Sequence, residues 1–274
     1  MSHPIFPPHT GYGFVGLENL HQDIYPAISV VQTSSLKQPG KVVLITGASR
    51  GIGRAVALQY AHAGVASIII VARSLSKLDE VATEIGQIDK EIRVHKFTLD
   101  AIDSDAVHKC AEEVKQKEGR LDVLINNAGT SNPWVPITDT EPDDWWRCLE
   151  VNLKGPYLFL HAFLPLMVQT AEKEKVVTDV INMSSIGAHT LGAGISAYGI
   201  SKVALCRLSE FVQAEYGDKG VNVVSLHPGG VATELTAREK VLEPCKFPRF
   251  FSRLFFTFMF AFQRKECKRC GCLG

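Results

Sequence analysis

Six short apolar runs mark the middle of this 274-residue chain: Lys41–Thr46, Ser67–Val71, Arg93–Leu99, Leu121–Asn126, Val176–Met183 and Val221–Leu226. Each has the length and the Val, Ile and Leu content of a strand, and stretches of helical pattern separate them. That alternation predicts a doubly wound α/β fold, a parallel sheet covered by helices on both faces, in a single domain. The flanks differ from this middle. Residues 1–40 contain Pro4, Pro7, Pro8, Gly11, Gly13, Gly16 and Pro26, residues that break regular structure, and are expected to form an N-terminal extension. The α/β domain is expected over 41–237, followed by an unusual tail over 238–274.

The tail holds a Phe-rich stretch, 247–262, and then Cys267, Cys270 and Cys272 between basic residues. The apolar stretch is shorter than the roughly 20 residues that a spanning helix needs. Three readings stay open: a non-native end, a packed terminal helix, or a basic-flanked interfacial membrane anchor. Three close thiols make an incomplete zinc site, and none of His161, His189 and His227 has a second histidine at ligand spacing, so no metal is expected.

Composition sets limits. Lys and Arg together number 29, as do Asp and Glu, so no global charge favours nucleic acid. Apolar residues at 46% and charged ones at 21% suit a globular enzyme of this length with one substantial core. The start of the chain shows no basic-then-apolar pattern, so no secretory leader is expected. Seven scattered cysteines fit a reducing compartment, and the expected location is cytoplasmic.

Candidate chemistry lies at three places. After the first apolar run comes Thr46-Gly47-Ala48-Ser49-Arg50-Gly51-Ile52-Gly53, a glycine-bearing turn that leads into an alanine-rich helix. Glycines let backbone approach a pyrophosphate, and a helix N-terminus offers free N–H groups and the positive end of a dipole. The second place is Tyr198 and Lys202, which an i, i+4 spacing puts on one helix face. A tyrosine that ordinarily titrates near ~10 needs a neighbouring cation to do acid–base work at neutral pH. The third is Ser185, thirteen residues before Tyr198, at the polar end of the run Val180-Ile181-Asn182-Met183-Ser184. Ser184 is the alternative there.

The glycine spacing Thr-Gly-x-x-x-Gly-x-Gly, with Asn126-Asn127-Ala128-Gly129, Asn152, Ser185, Tyr198, Lys202 and Pro228-Gly229, resembles the short-chain dehydrogenase/reductase family from about Lys41 to Glu234. The resemblance implies a Rossmann-like fold and hydride transfer between a nicotinamide and a carbonyl or secondary alcohol. It implies Tyr198 as proton donor, Ser185 as hydrogen-bond donor to the same oxygen, and Lys202 as the group that lowers the Tyr198 pKa and binds the nicotinamide ribose. Asn152 would hold a relay water. Gly47, Ser49, Arg50, Gly51, Ile52 and Gly53 would cradle the cofactor, Asp100 its adenine, and Asn127, Ala128 and Gly129 its ribose and nicotinamide side. Val231 and Thr233 would orient the carboxamide, and Lys154 would stand on the cofactor side unless it is only a solvated charge. Asn126 is read as a structural tie between strands, and the alternative for Asp100 is a helix cap.

After the second run the chain reads Val71-Ala72-Arg73-Ser74, with no carboxylate where family members selective for NAD place one. Arg73, with Arg50, would favour a 2′-phosphate, so the expected cofactor is NADP(H). Trp134, Ile137, Leu191, Ile195 and Leu235 suggest a small apolar substrate. The overall pattern is similar to reductases of fungal secondary metabolism, and the family implies a homodimer or homotetramer. Trp145 and Trp146 are expected to start a helix behind Asp143 and Asp144, or to border a partner surface. The aberrant tail leaves a second class open, a nucleotide-binding protein without turnover. A third is a membrane-associated reductase.

Overall fold

The computed structural model describes residues 25–229 together with 231, 233 and 235. All six expected strands form: β1 (Val42–Thr46), β2 (Ser67–Ala72), β3 (Arg93–Thr98), β4 (Val123–Asn126), β5 (Thr178–Met183) and β6 (Val221–Leu226). They make one parallel sheet in the order β3-β2-β1-β4-β5-β6. The helices are α1 (Gly51–His62), α2 (Leu75–Ile88), α3 (Ser104–Glu118), α4 (Pro142–Leu149), α5 (Gly155–Glu174) and α6 (Ser196–Tyr216). This is the Rossmann-like doubly wound architecture.

Alternation along β1 builds two cores, one on each side of the sheet. Val43 and Ile45 face the helices α1 and α2 with Tyr60, Leu78 and Ile85. Val42 and Leu44 face α3, α5 and α6 with Val107, Phe159, Phe163 and Val212. Because β1 is hydrogen-bonded to β2 on one side and β4 on the other, the chain leaves their carboxyl ends in opposite directions. A crevice opens there, at the switch point where such sheets bind ligands.

Strand boundaries depart from the apolar runs for local reasons. Leu121 and Asp122 precede β4: the Leu121 N–H is diverted to a side chain, while the Asp122 backbone bonds Val42 and Asp179 as a lead-in to the strand. The Leu121 N–H donates to Thr170 Oγ1 at 3.0 Å, and the buried Asp122 carboxylate accepts from Val42 N at 2.9 Å and from Arg120. β5 starts at Thr178, not Val176, because α5 is closed by Lys175 at φ 56° and by the Val176 N–H returning to the Ala171 carbonyl. Of the expected N-terminal extension, residues 25–40 form two single turns, and Val30 and Leu36 are buried in the α1–α2 core. The tail over 238–274, with its Phe-rich stretch and three cysteines, lies outside the described residues. Among the described residues, no helix is long and apolar enough to cross a membrane.

Candidate active site

The crevice is clamped before it is furnished. Thr46 ends β1, and its hydroxyl accepts the N–H groups of Asn127 and Ala128, each at 3.0 Å. The Asn127 amide in turn donates to the carbonyls of Thr46 at 2.9 Å and Gly47 at 3.2 Å. The turns after β1 and β4 therefore hold each other in place, and the Asn127 side chain is committed to that task.

The glycines of the first turn have steric reasons. Gly47 and Gly51 sit at φ 65° and 53°, in the left-handed region. A Cβ on Gly53 would lie 2.3 Å from the Gly47 carbonyl oxygen and 2.6 Å from Asn127 Nδ2, so no side chain fits where α1 starts against the turn. α1 begins with the N–H groups of Gly51, Ile52 and Gly53, and Arg50, at its N-cap, gives no side-chain cap. Ser49 is half-buried and Arg50 exposed beside them. Beyond β6, Thr233 comes against this turn, its methyl 3.4 Å from the place of a Gly51 Cβ, and Val231 is buried.

At the far end of the crevice stand β5 and α6. Ser185 follows β5, and its hydroxyl accepts from Gly187 N at 3.1 Å. A Cβ on Gly187 would lie 3.4 Å from the Tyr198 ring and 3.5 Å from Ser185 Oγ, so the backbone at Gly187 runs beside both. Ser184 is turned away: it is buried, 3.1 Å from Cys206 Sγ and bonded to the Lys202 carbonyl. Of the two serines, Ser185 is the one on the Tyr198 side.

Lys202 is buried one turn along α6 from Tyr198. Its ammonium lies 5.6 Å from the centroid of the Tyr198 ring and donates to the Met183 carbonyl at 2.8 Å. Burial lowers its pKa to about 8, against smaller upward pulls from the thiols of Cys148 and Cys206. For Tyr198 burial again dominates and raises the pKa, while the nearby Ser185 hydroxyl works downward and Cys148 upward. The expected lowering of the phenol by Lys202 is thus not the direction found here. Both side chains are desolvated together, and the ammonium is turned to a backbone carbonyl.

Asn152 sits in a five-residue π-type turn, Glu150–Lys154, that joins α4 to α5. Its Oδ1 accepts from Thr130 N at 2.8 Å, and its Nδ2 donates to the Thr130 carbonyl at 2.8 Å and Ser201 Oγ at 3.0 Å, with Cys148 Sγ at 3.4 Å. It thereby fastens the loop after β4 to α6. Gly129 lies in the same corner, where a Cβ would be 3.2 Å from Asn152 Oδ1 and 3.6 Å from Lys202 Nζ. Lys154 is exposed at the end of the turn. Asn126 ties strands, donating to Asn182 Oδ1 at 2.8 Å, as its position suggested.

On the other side of the crevice, Arg73 is exposed just past β2. Asp100 follows β3 but is not the cap of α3; Asp103 is, accepting from Ala106 N at 3.0 Å. Asp100 accepts from Ile102 N at 3.3 Å and from Arg147 Nη2 at 2.7 Å. Burial pushes its pKa up, but these bonds and the charges of Arg147 and Arg73 outweigh it and hold the carboxyl below its ordinary value. Sequence reasoning gave no role to Arg147 or Cys148, which belong to no pattern that stands out before the fold brings them into the crevice. It read Thr46 only as the head of the glycine motif and not as the clamp on the turn after β4.

A doubly wound sheet with a glycine turn at its switch point and a buried Tyr–Lys pair beside it is the framework of an α/β oxidoreductase. The family model of the short chain dehydrogenases matches residues 41–242, and the chain belongs to that family. A short chain dehydrogenase of Monascus purpureus is 42% identical over 237 residues, covering 85% of this chain and 77% of the relative. One from Monascus ruber matches to the same extent. Among solved structures, a metagenomic short-chain oxidoreductase in complex with NADP is 36% identical, with a TM-score of 0.63 over 72% of this chain and 85% of that one. The short chain dehydrogenase of Shigella flexneri, 24% identical, shares the fold with a TM-score of 0.75 over 85% and 88%.

Proposed function

We propose that this short-chain dehydrogenase uses NADP(H) to interconvert a carbonyl and a secondary alcohol on a small apolar substrate. The observation that carries the reading is the convergence of Ser185, Tyr198, Lys202 and Asn152 on one corner of the crevice, where a Cβ on Gly129 would come against Asn152 and Lys202.

The residues fit a dinucleotide. Gly53 keeps the first turn bare of side chains, and the N–H groups of α1 and the hydroxyl of Ser49 would take the pyrophosphate. Arg50 and Arg73 would take a 2′-phosphate, and Ala72 leaves out the carboxylate that would repel it. Asp100 would meet the adenine side, and Ala128, Gly129, Val231 and Thr233 the ribose and nicotinamide side. The relative seen in complex with NADP lends support to this choice. When bound, the nicotinamide supplies the hydride or receives it.

Tyr198 gives its proton to the developing alkoxide, and Ser185 donates to the same oxygen and holds it in line. Lys202, with a pKa of about 8, is mostly charged at neutral pH; it would hold the ribose hydroxyls and favour the phenolate left behind. Asn152 keeps the Thr130 loop and α6 in register, so that Tyr198 and Lys202 stay aimed at the crevice. Trp134 and Ile137, in the loop after β4, and Leu191, between β5 and α6, are exposed and would supply apolar surface for the substrate. A cytoplasmic location, a homodimer or homotetramer, and a role in secondary metabolism belong to the same proposal, the last supported by kinship with the Monascus chains.

Titration of the purified chain with NADPH and NADH, followed by a carbonyl-substrate screen, tests this reading. Tighter binding of NADPH and carbonyl-dependent oxidation of it are expected. Equal binding of the two nucleotides would overturn the choice of cofactor, and no binding of either would overturn the function.

A further inference from the structure

Arg147 connects two halves of the crevice that the sequence keeps 47 residues apart. It lies in the last turn of α4, a helix fixed on both sides of it: Trp145 Nε1 donates to Ser196 Oγ at 3.0 Å, and Cys148 Sγ lies 3.6 Å from the Thr130 carbonyl. From this anchored position its Nη2 reaches Asp100 Oδ2 at 2.7 Å, while Nη1 stays 3.7 Å from Glu150.

The neighbour of this pair gives it a purpose. Leu99 N donates to the Ala72 carbonyl at 3.1 Å, so Asp100 and Arg73, each the next residue along its chain, leave the sheet side by side. The charge of Arg73 is felt at Asp100. No hydrogen bond or ion pair to Arg73 is made among the described residues. Without Arg147, Asp100 would be an uncompensated carboxylate beside that guanidinium. It would compete for the donors of Arg73 and repel a phosphate dianion placed there.

We propose that Arg147 is a specificity-determining residue, which by binding Asp100 keeps Arg73 available to the 2′-phosphate of NADP(H). The proposal rests on the NADP(H) reading above. Arg147 itself need not touch the nucleotide: it acts through the carboxylate it holds. Removing Arg147 and neutralising Asp100 therefore have opposite effects on the choice between the two nucleotides, whereas a purely structural pair would disturb both nucleotides alike.

The test is calorimetric binding of NADPH and NADH to the full chain and to Arg147→Gln, Asp100→Asn and the double variant, with thermal melting to confirm folding. Arg147→Gln is expected to cut the NADPH preference by about five-fold or more, the scale of one partly exposed charge pair. Asp100→Asn should keep or raise that preference, whatever it costs adenine binding, because that loss is common to both nucleotides. The double variant should recover most of the preference, and Arg147→Lys, which keeps a cation, should recover part of it. Equal loss for both nucleotides in Arg147→Gln, or no recovery in the double variant, would overturn the proposal while leaving the cofactor reading intact. A wild-type chain without NADPH preference would overturn both. If Arg147→Gln does not fold, Asp100→Asn decides, since a fall in its NADPH preference contradicts the proposal.

Discussion

Lys202 donates to the carbonyl of Met183 at 2.8 Å, which ties the helix that carries Tyr198 to the last residue of β5. The site thus keeps a buried ammonium on a backbone acceptor, in a place where burial disfavours the charge. The relation between Lys202 and Met183 sets both the position of the proposed acid and a cost to the fold.

That cost has a pH signature. Lys202 titrates at about 8 in the folded chain against 10.5 ordinarily, so between these values the unfolded chain binds more protons. Stability therefore rises with pH across this window, and the whole penalty is felt below it. Replacing Lys202 by Met removes the titration. The stability of Lys202→Met relative to wild type is expected to fall as pH increases from 8 to 10.5, by roughly 2–3 kcal/mol over the window. Denaturant unfolding of both chains at several pH values, without nucleotide, measures it. A difference that stays flat with pH would mean the lysine is not held as a buried charge.

Tyr198→Phe should leave nucleotide binding within about three-fold of wild type and lower turnover by about 10²–10⁴-fold, the range of a lost general acid. Ser185→Ala should cost about 10²–10³-fold, as for one lost donor at a developing oxyanion. The two measurements differ in kind: turnover reads the proton and the oxygen, and nucleotide titration reads the cradle. Full activity in Tyr198→Phe would remove the proposed mechanism.

Much of this arrangement was legible because it is local. Val43, Ile45, Ile68 and Ile70 announce a buried sheet by their side chains alone, and Tyr198 and Lys202 need only one helix to be brought together. Glycine spacing was legible too, although the reason for Gly53 lies in an oxygen six residues earlier. Arg147 and Asp100, or Thr46 and Asn127, were not. Their partners come from separate strands and helices, and an arginine or a threonine carries no mark of which distant atom it will meet. The sign of the Tyr198 shift was missed for a related reason. Spacing shows that a cation is near, while burial of both groups depends on everything packed around them.

Gly53 and Gly86 give opposite outcomes for one substitution. A Cβ at Gly53 would meet the Gly47 carbonyl at 2.3 Å, a backbone atom that cannot move without the clamp of Thr46 and Asn127. Gly53→Ala is expected to cost about 1–3 kcal/mol or more and to weaken NADPH binding. Gly86, inside α2, has nothing within 4 Å of its would-be Cβ, so Gly86→Ala should stabilise by about 0.5–1 kcal/mol through helix propensity. Thermal melting and nucleotide titration of both variants check the pair.

Glu118 predicts how the edge of the sheet responds to acid. It ends α3 with its side chain buried, and accepts from Ser67 Oγ at 2.8 Å, His95 Nε2 at 2.6 Å and the Arg93 guanidinium, so it binds β2 and β3 to the helix behind them. Burial alone would raise its pKa; the bonds from Arg93, His95 and Ser67 bring it down instead to about 2, from 4.5. A carboxylate with a lowered folded pKa contributes stability that is complete above 4.5 and is lost as pH falls through 2. Glu118→Gln should therefore be less stable than wild type at pH 7 by about 1.5–3 kcal/mol, the range for hydrogen bonds to a charged group, and the gap should close between pH 4.5 and 2. Glutamine keeps the size of the side chain, so a gap that persists unchanged at pH 2 would come from its NH2 facing the donors of Ser67, His95 and Arg93, and not from the lost charge.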